Sequence, residues 1–292
     1  MKNFSLTPLI FQKLLILGIL AFGIQTFAQD SLQNPVQDST PATFQVENGK
    51  TIILSTNAKN PKPIKIHQKT YSWIPHPTDK SQKIAILSIP YRTPASTTTL
   101  EDGSLVQVIA GNYTKEQIQA SPNKVKPNPK NQERINQERE EANKIYSNYS
   151  QTRLWDSTFA YPMQSVITSP FGSARVFNNE LKSYHSGTDF RAKIGTEIYA
   201  SNRGKVVIAK NRFLAGGSVV LDHGEGIFSM YYHCSELKVQ VGQIVEKGDL
   251  IALSGATGRV SGPHLHFGIL VRGAQVDPLD FIAQANALFN NP

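Results

Sequence analysis

From about residue 156 the chain becomes a succession of short β-favouring runs punctuated by glycine: GKVVIAK, GGSVVLDHGEGIFSMYYH, VGQIVEKGDLIALSG and PHLHFGILV. Strands this short, alternating with glycine turns, specify a mostly antiparallel β-domain, here of about 135 residues. The stretch Asp222-His223-Gly224-Glu225-Gly226 supplies a turn between two of these strands. Asp222, Glu225 and Glu246 read as solvated turn residues.

The preceding part has a different texture. Residues 43–120 carry the runs TFQVENGKTIIL, IKIHQKTYSWI, KIAILSIPYR and SLVQVIAGNY, split by turn residues. That spacing predicts a small β-sandwich of immunoglobulin-like type. SPNKVKPNPKN, residues 121–131, is proline- and lysine-rich and reads as a linker. In the charged segment after it, Ala142, Ile145, Tyr146 and Tyr149 recur at three- and four-residue spacing. This predicts a short amphipathic helix that bridges two domains or packs along one. The expected architecture is therefore mainly β: an N-terminal β-domain (43–120), a linker and helix (121–155), and a C-terminal β-domain (156–285).

At the start, Lys2 and Lys13 are the only charges before Asp30, Leu14 to Ile24 is an apolar core, and Thr26-Phe27-Ala28 offers small residues for a peptidase. Residues 1–28 thus read as a secretory signal, followed by a flexible leader over 29–42. The apolar core is about half the roughly 20 residues a membrane span needs. Cleavage without stable membrane insertion is the expectation; an uncleaved anchor facing the periplasm is the alternative. Losing Lys2 and Lys13 would lower the formal charge from +8 to about +6. A basic exported chain suits an anionic polymer, although the charge can equally serve solubility. No basic helix with base-reading spacing and no aromatic ribonucleoprotein run is present, so nucleic acid is not an expected partner. A single cysteine, Cys234, excludes an internal disulfide.

Two of the seven histidines, His67 and His76, lie in the first half without a nearby acidic partner and read as incidental. The other five, His185, His223, His233, His264 and His266, fall in the C-terminal β-domain. On a straight strand His185 and Asp189 would stand about 13 Å apart, so they share an ion only if Ser186-Gly187-Thr188 bends. His264 and His266, two apart, project from one strand face roughly 6–7 Å from each other, with Leu265, Phe267 and Ile269 opposite. His185, Asp189 and His266 together make a nitrogen–nitrogen–oxygen donor set suited to a catalytic Zn²⁺ with water in the fourth place. His233 and His264 are then available to move protons or steady an oxyanion. Taken one at a time, each histidine is equally a strand residue bonded to a backbone carbonyl. Cys234 follows His233 directly, and strand alternation should turn it away from the metal.

The combination YHSGTDF, MYYHCSEL and GPHLHFGI resembles the lysostaphin- and LytM-type zinc endopeptidases of peptidoglycan, over roughly residues 160–282. SPFGSAR, GTEIYAS and VGQIVEKGDLIALSGATG extend the likeness. The resemblance implies one zinc ion on His185, Asp189 and His266, with His233 and His264 as the catalytic pair, and leaves open which of the two is the base. It also implies a barrel-sandwich-like peptidase fold for the C-terminal domain, peptidoglycan as partner, and hydrolysis of its cross-links or stem peptides. D-alanyl–diaminopimelate cross-links in a periplasm are the leading substrate, carboxypeptidase trimming an additional activity, and glycyl-glycine bridges the runner-up. The N-terminal part is expected to regulate access to the groove. Arg175 has two readings, a clamp for a substrate carboxylate or a structural salt bridge, and His223 a structural one. Of Tyr231 and Tyr232, one should face the groove and the other the core. The alternative function is a non-catalytic scaffold or amidase activator of the same family that binds the wall. A biotinyl- or lipoyl-type carrier is disfavoured because Lys247 lacks the required hairpin context.

Overall fold

The computed structural model describes residues 41–118, 122–177 and 181–289. The expected signal, 1–28, and most of the leader lie outside the described residues, among which no helix is long and apolar enough to cross a membrane.

The chain is mainly β. In the N-terminal part, β1 (Thr43–Glu47), β7 (Ser96–Thr99) and β8 (Leu105–Ile109) form one sheet, with β1 parallel to β8. A second sheet joins β2 (Thr51–Thr56), β5 (Ile74–Pro75) and β6 (Lys83–Ser88), and β3 (Ile64–Ile66) pairs with β4 (Lys69–Tyr71). Period-two alternation turns Val106 and Val108 of β8 inward, where they meet Val46, Leu54, Ile66 and Tyr71.

β6 is buried on both faces, which explains the unbroken apolar run IAIL. Ala85 and Leu87 enter the N-terminal core, whereas Ile84 and Ile86 enter the core of the C-terminal half. A strand serving two cores cannot afford a polar alternate. The contact is reinforced by Ser88 Oγ donating to the Val271 carbonyl at 2.9 Å and by Asp277 N donating to the Gly49 carbonyl at 2.7 Å. β9 (Lys115–Ile118) lies in the span expected to close the N-terminal β-domain, yet it pairs in parallel with β11 (Ala174–Phe177), which also pairs with β12 (Leu181–Tyr184).

Between the halves run α1 (Pro122–Val125) and α2 (Pro129–Ser147). Asn128 caps α2 by accepting from Asn131 N, and Pro129 suits the first helical turn, where no amide partner is needed. Ala142, Ile145, Tyr146 and Tyr149 pack on Ile208, Val220, Phe228 and Met230, so the helix lies along the sheet rather than spanning solvent.

That sheet holds β10 (Ile167–Ser169), β13 (Thr188–Arg191), β15 (Gly204–Arg212), β16 (Gly216–Asp222), β17 (Ile227–Cys234), β19 (Ile244–Val245), β21 (His264–Val271) and β22 (Ala274–Val276). Its order is β10-β13-β21-β17-β16-β15-β19, with β22 added against β21 and every neighbouring pair antiparallel. A small sheet of β14 (Glu197–Tyr199), β18 (Glu236–Leu237) and β20 (Leu250–Leu253) contributes Ile198 and Ile251 to the same core, as does α3 (Pro278–Ala287) through Phe281 and Ala285.

The reading of Asp222 and Glu225 as solvated needs correcting: both are buried, while Glu246 is exposed and pairs with Arg203. Asp222 accepts from Ser150 N at 2.9 Å, and Glu225 accepts from Arg153 Nε at 2.9 Å and Trp155 Nε1 at 3.2 Å. The segment entering the C-terminal half brings donors that need buried acceptors, and this turn supplies them.

Asp280, which accepts from Thr51 N at 2.8 Å, joins α3 to the N-terminal part. Burial, aided by Asp277 and Glu47, raises its carboxyl from 3.8 to about 6. Between those values the folded chain holds a proton that the unfolded chain has released, so stability falls as pH rises through the window. Chemical denaturation from pH 4 to 7 should show this slope in the wild type and a flatter one in Asp280→Asn. Identical slopes would refute the assignment.

Candidate metal centre

β13 and β21 pair with Asp189 directly opposite His266 and Arg191 opposite His264. The register puts the Asp189 and His266 side chains on one face. Leu265, Phe267 and Ile269, on the other face, are fully buried in the core and fix the strand's orientation. His185 reaches the same point because the chain bends at Ser186-Gly187. A Cβ on Gly187 would stand 2.4 Å from the Phe267 carbonyl oxygen and 2.6 Å from His266 Nε2, so glycine is required there by close approach.

The result is three donor atoms in mutual contact. His185 Nε2 lies 2.9 Å from Asp189 Oδ1 and 3.0 Å from His266 Nδ1, which is itself 2.9 Å from Asp189 Oδ1. All three residues are buried. His185 Nδ1 donates to the Pro170 carbonyl at 2.8 Å; because a carbonyl only accepts, the proton sits on Nδ1 and Nε2 turns a lone pair inward. Burial alone would raise the Asp189 carboxyl, but the facing imidazoles of His185 and His266 outweigh it and hold it well below the usual carboxylate range. Burial pushes His266 down to about 4, so its imidazole is neutral at pH 7. Two imidazoles and one carboxylate suit a divalent cation, and their spacing is close to the roughly 3.3 Å edge of a tetrahedron with 2.0–2.1 Å bonds. The donor set fits a metal.

Asp189 is divided between two partners. Oδ1 faces the histidines, while Oδ2 accepts from Arg175 Nη2 at 2.8 Å. Arg175 also donates to Ser169 Oγ at 2.8 Å and, through Nε, to Glu116 Oε2 at 3.0 Å. Of the two readings of Arg175, the structural salt bridge obtains. Glu116 was not foreseen. It stands opposite Arg175 in the β9–β11 register, 59 residues earlier in the chain, and nothing in its local sequence KEQI marks it.

His233 and His264 complete the group. Their ring centroids are 4.9 Å apart, and His233 lies 5.9 Å from His266. His233 Nδ1 donates to the Thr257 carbonyl at 2.8 Å and His264 Nδ1 to the Gly262 carbonyl at 2.9 Å, leaving both Nε2 atoms as acceptors. His264 Nε2 is 3.7 Å from Asp189 Oδ1, beyond bonding distance. His233 holds φ 66°, a left-handed conformation that a non-glycine residue adopts at a cost of about 1–3 kcal/mol. The β16–β17 register shifts here, so strand alternation fails: Tyr231 and Cys234 both enter the core, three residues apart. Cys234 does point away from the metal cluster, but through this bulge rather than simple alternation. Tyr232 takes the groove side, its ring stacked on His266 at 5.5 Å and 3°. His223 stands elsewhere, bonded to the Arg203 carbonyl and Ser229 Oγ, both at 2.7 Å. His67 and His76 are also remote, in exposed contacts with Ser96 and Thr78. The groove beside the cluster, about 220 Å³, is lined by residues between Arg175 and His266 and by none from 41–118. The N-terminal part therefore reaches the site from behind, through Glu116, rather than across it.

The sequence pattern that defines peptidase family M23 matches residues 183–278, the segment that holds all five residues. The chain carries a peptidase family M23 domain. The crystal structure of a candidate M23 peptidase from Pseudomonas aeruginosa superposes with a TM-score of 0.63 at 27% identity, covering 81% of this chain and 95% of that one. The match to the M23 fold thus extends into the N-terminal half. Peptidoglycan DD-endopeptidase ShyA of Vibrio cholerae serotype O1 is 47% identical over 122 residues, which is 41% of this chain and 28% of ShyA. DD-carboxypeptidase/endopeptidase Mpg of Neisseria gonorrhoeae is 33% identical over 113 residues, 39% of this chain and 26% of Mpg. The match spans less than a third of the length of either curated relative.

Proposed function

We propose that this chain is an exported, zinc-dependent endopeptidase that hydrolyses peptide cross-links or stem peptides of peptidoglycan, with D,D-cross-links as its main target. The observation that carries the reading is the buried His185–Asp189–His266 donor set, with the imidazoles of His233 and His264 directly beside it. The likeness to ShyA and Mpg supports the choice of substrate.

His185 Nε2, Asp189 Oδ1 and His266 Nδ1 would hold one zinc ion, which when bound would supply a Lewis acid to polarise a carbonyl and acidify water. His233 and His264 take up and return the proton of the attacking water and donate to the oxygen on which negative charge develops. Burial, reinforced by the neighbouring imidazoles of His266 and His264, pushes His233 down to about 3, so it enters at neutral pH as an acceptor. Its Nδ1–H bond to Thr257 and the matching His264–Gly262 bond keep both rings in the tautomer this work requires. Arg175 holds Asp189 so that only Oδ1 is offered to the ion. Residues 1–28 deliver the chain to the periplasm, on the strength of Lys2, Lys13 and the Leu14–Ile24 apolar run.

Mass spectrometry of muropeptides after incubating the zinc-loaded chain with purified peptidoglycan tests the reading. Cross-linked dimers should disappear in favour of monomers; an unchanged profile from metal-replete protein would leave the scaffold alternative standing. Glu116 offers a finer check. Glu116→Ala leaves the Arg175 charge unbalanced beside the ion and should weaken zinc binding about 10-fold in a chelator competition. Unaltered affinity would show that the strand from the N-terminal part plays no role in the centre.

A further inference from the structure

Arg259 stands on the wall of the groove that holds the histidine cluster. Its guanidinium lies 4.3 Å from the Phe177 ring centroid, and its backbone amide is tied to the Leu214 carbonyl. Among the described residues no side-chain acceptor bonds its guanidinium and no carboxylate pairs with it. Among the described residues, the two carboxylates of this region are engaged elsewhere, since Glu116 and Asp189 both hold Arg175. A guanidinium packed on a ring face and partly withdrawn from water needs an anionic partner to balance its desolvation. Its planar fork of donors matches a carboxylate better than any neutral group. Burial and the charge of Arg175 lower its affinity for its own proton, as expected of a cation without a counterion.

We propose that Arg259 is a specificity residue that binds a free carboxylate of the substrate peptide next to the scissile amide, an inference that rests on the peptidase reading above. Phe177 backs the guanidinium, and both residues line the groove. Arg259 makes no contact with the donor set and has no part in the chemistry; it selects for an acidic peptide. Two carboxylates of a cross-linked stem peptide have this chemistry, the one on the diamino acid and the one at the peptide C-terminus. A bridge of glycine residues offers neither beside its internal amides.

The test uses the full-length chain, wild type and Arg259→Met, which keeps the apolar stem over Phe177 but removes the fork. The probes are a D-alanyl–diaminopimelate cross-linked dimer with free carboxylates and two versions amidated at one or the other carboxyl. Binding is measured by calorimetry and turnover by chromatography of the products. The wild type should bind and cleave the free dimer at least about 10-fold better than one amidated version, which identifies the carboxylate used, and Arg259→Met should abolish that preference. A merely structural role would lower the variant's performance on all three peptides alike, and equal discrimination by wild type and variant overturns the inference. Arg259→Lys should restore part of the preference; full restoration would mean that charge, not the bidentate fork, is read, and would overturn that part of the proposal. If the wild type discriminates in binding but cleaves nothing when zinc-loaded, the peptidase reading fails while the carboxylate site stands.

Discussion

His185→Ala should lose metal and activity together, whereas His264→Ala should keep its metal and lose activity. The difference follows from where each Nε2 points. His185 Nε2 is one of three donor atoms within 3.0 Å of each other, and two donors rarely suffice to retain a divalent ion against a chelator. Removing it should weaken binding by more than about 100-fold, given that losing even a residue behind a ligand costs about 10–100-fold. His264 begins β21 two residues before His266, with its Nε2 3.7 Å from Asp189 Oδ1, close to the centre but not part of it. Its loss should lower kcat by about 10²–10⁴-fold, the range for a positioned proton-transfer group. Metal content by elemental analysis and turnover on purified peptidoglycan decide the matter. A His264→Ala protein that emerges without its ion, or a His185→Ala protein that retains a full equivalent, would reverse the division of roles.

Gly187→Ala should damage the site as severely as deleting a donor, although glycine has no side chain to bind anything. The added methyl would press within 2.4 Å of the Phe267 carbonyl oxygen and 2.6 Å of His266 Nε2, one a backbone atom in the central strand, the other a ring of the donor set. Neither can withdraw without breaking the β13–β21 pairing or turning His266 out of line. Overpacking of this kind costs about 1–3 kcal/mol, to be read as a lowered melting temperature, together with a metal affinity reduced by about 100-fold. Gly262→Ala is the matched control, because a Cβ there meets nothing within 4 Å. It should leave melting temperature and metal content unchanged. Equal effects from the two substitutions would mean that generic loop stiffening, not close approach at Gly187, accounts for the loss.

Much of the site is legible in the chain because its two halves are local. His-x-x-x-Asp across Ser186-Gly187-Thr188 needs one bend, and His-x-His on an apolar-alternating run needs one strand; both follow from backbone geometry over a few residues. The β-character of the domain and the helix carrying Ala142, Ile145 and Tyr146 are legible for the same reason. The solvated reading of Asp222 and Glu225 failed because a turn motif says nothing about which distant donors will be laid across it. Simple alternation at Cys234 failed because a bulge adds a residue to one strand only, and His233 pays for it with a left-handed backbone.

By itself, then, the sequence determined which side chains can act and how each is aimed within its own strand or turn: the His185–Asp189 bend, the shared face of His264 and His266, the buried opposite face from Leu265 to Ile269. Only the tertiary structure decided that Asp189 meets His266 across a pair of strands, that Glu116 backs Arg175 through a strand from the other half, that β6 fills two cores, and that Arg259 has no anionic partner among the described residues. The reason is that pairing register and bulge position are set by the sum of many long-range burials, of which any short stretch of chain contains only one side.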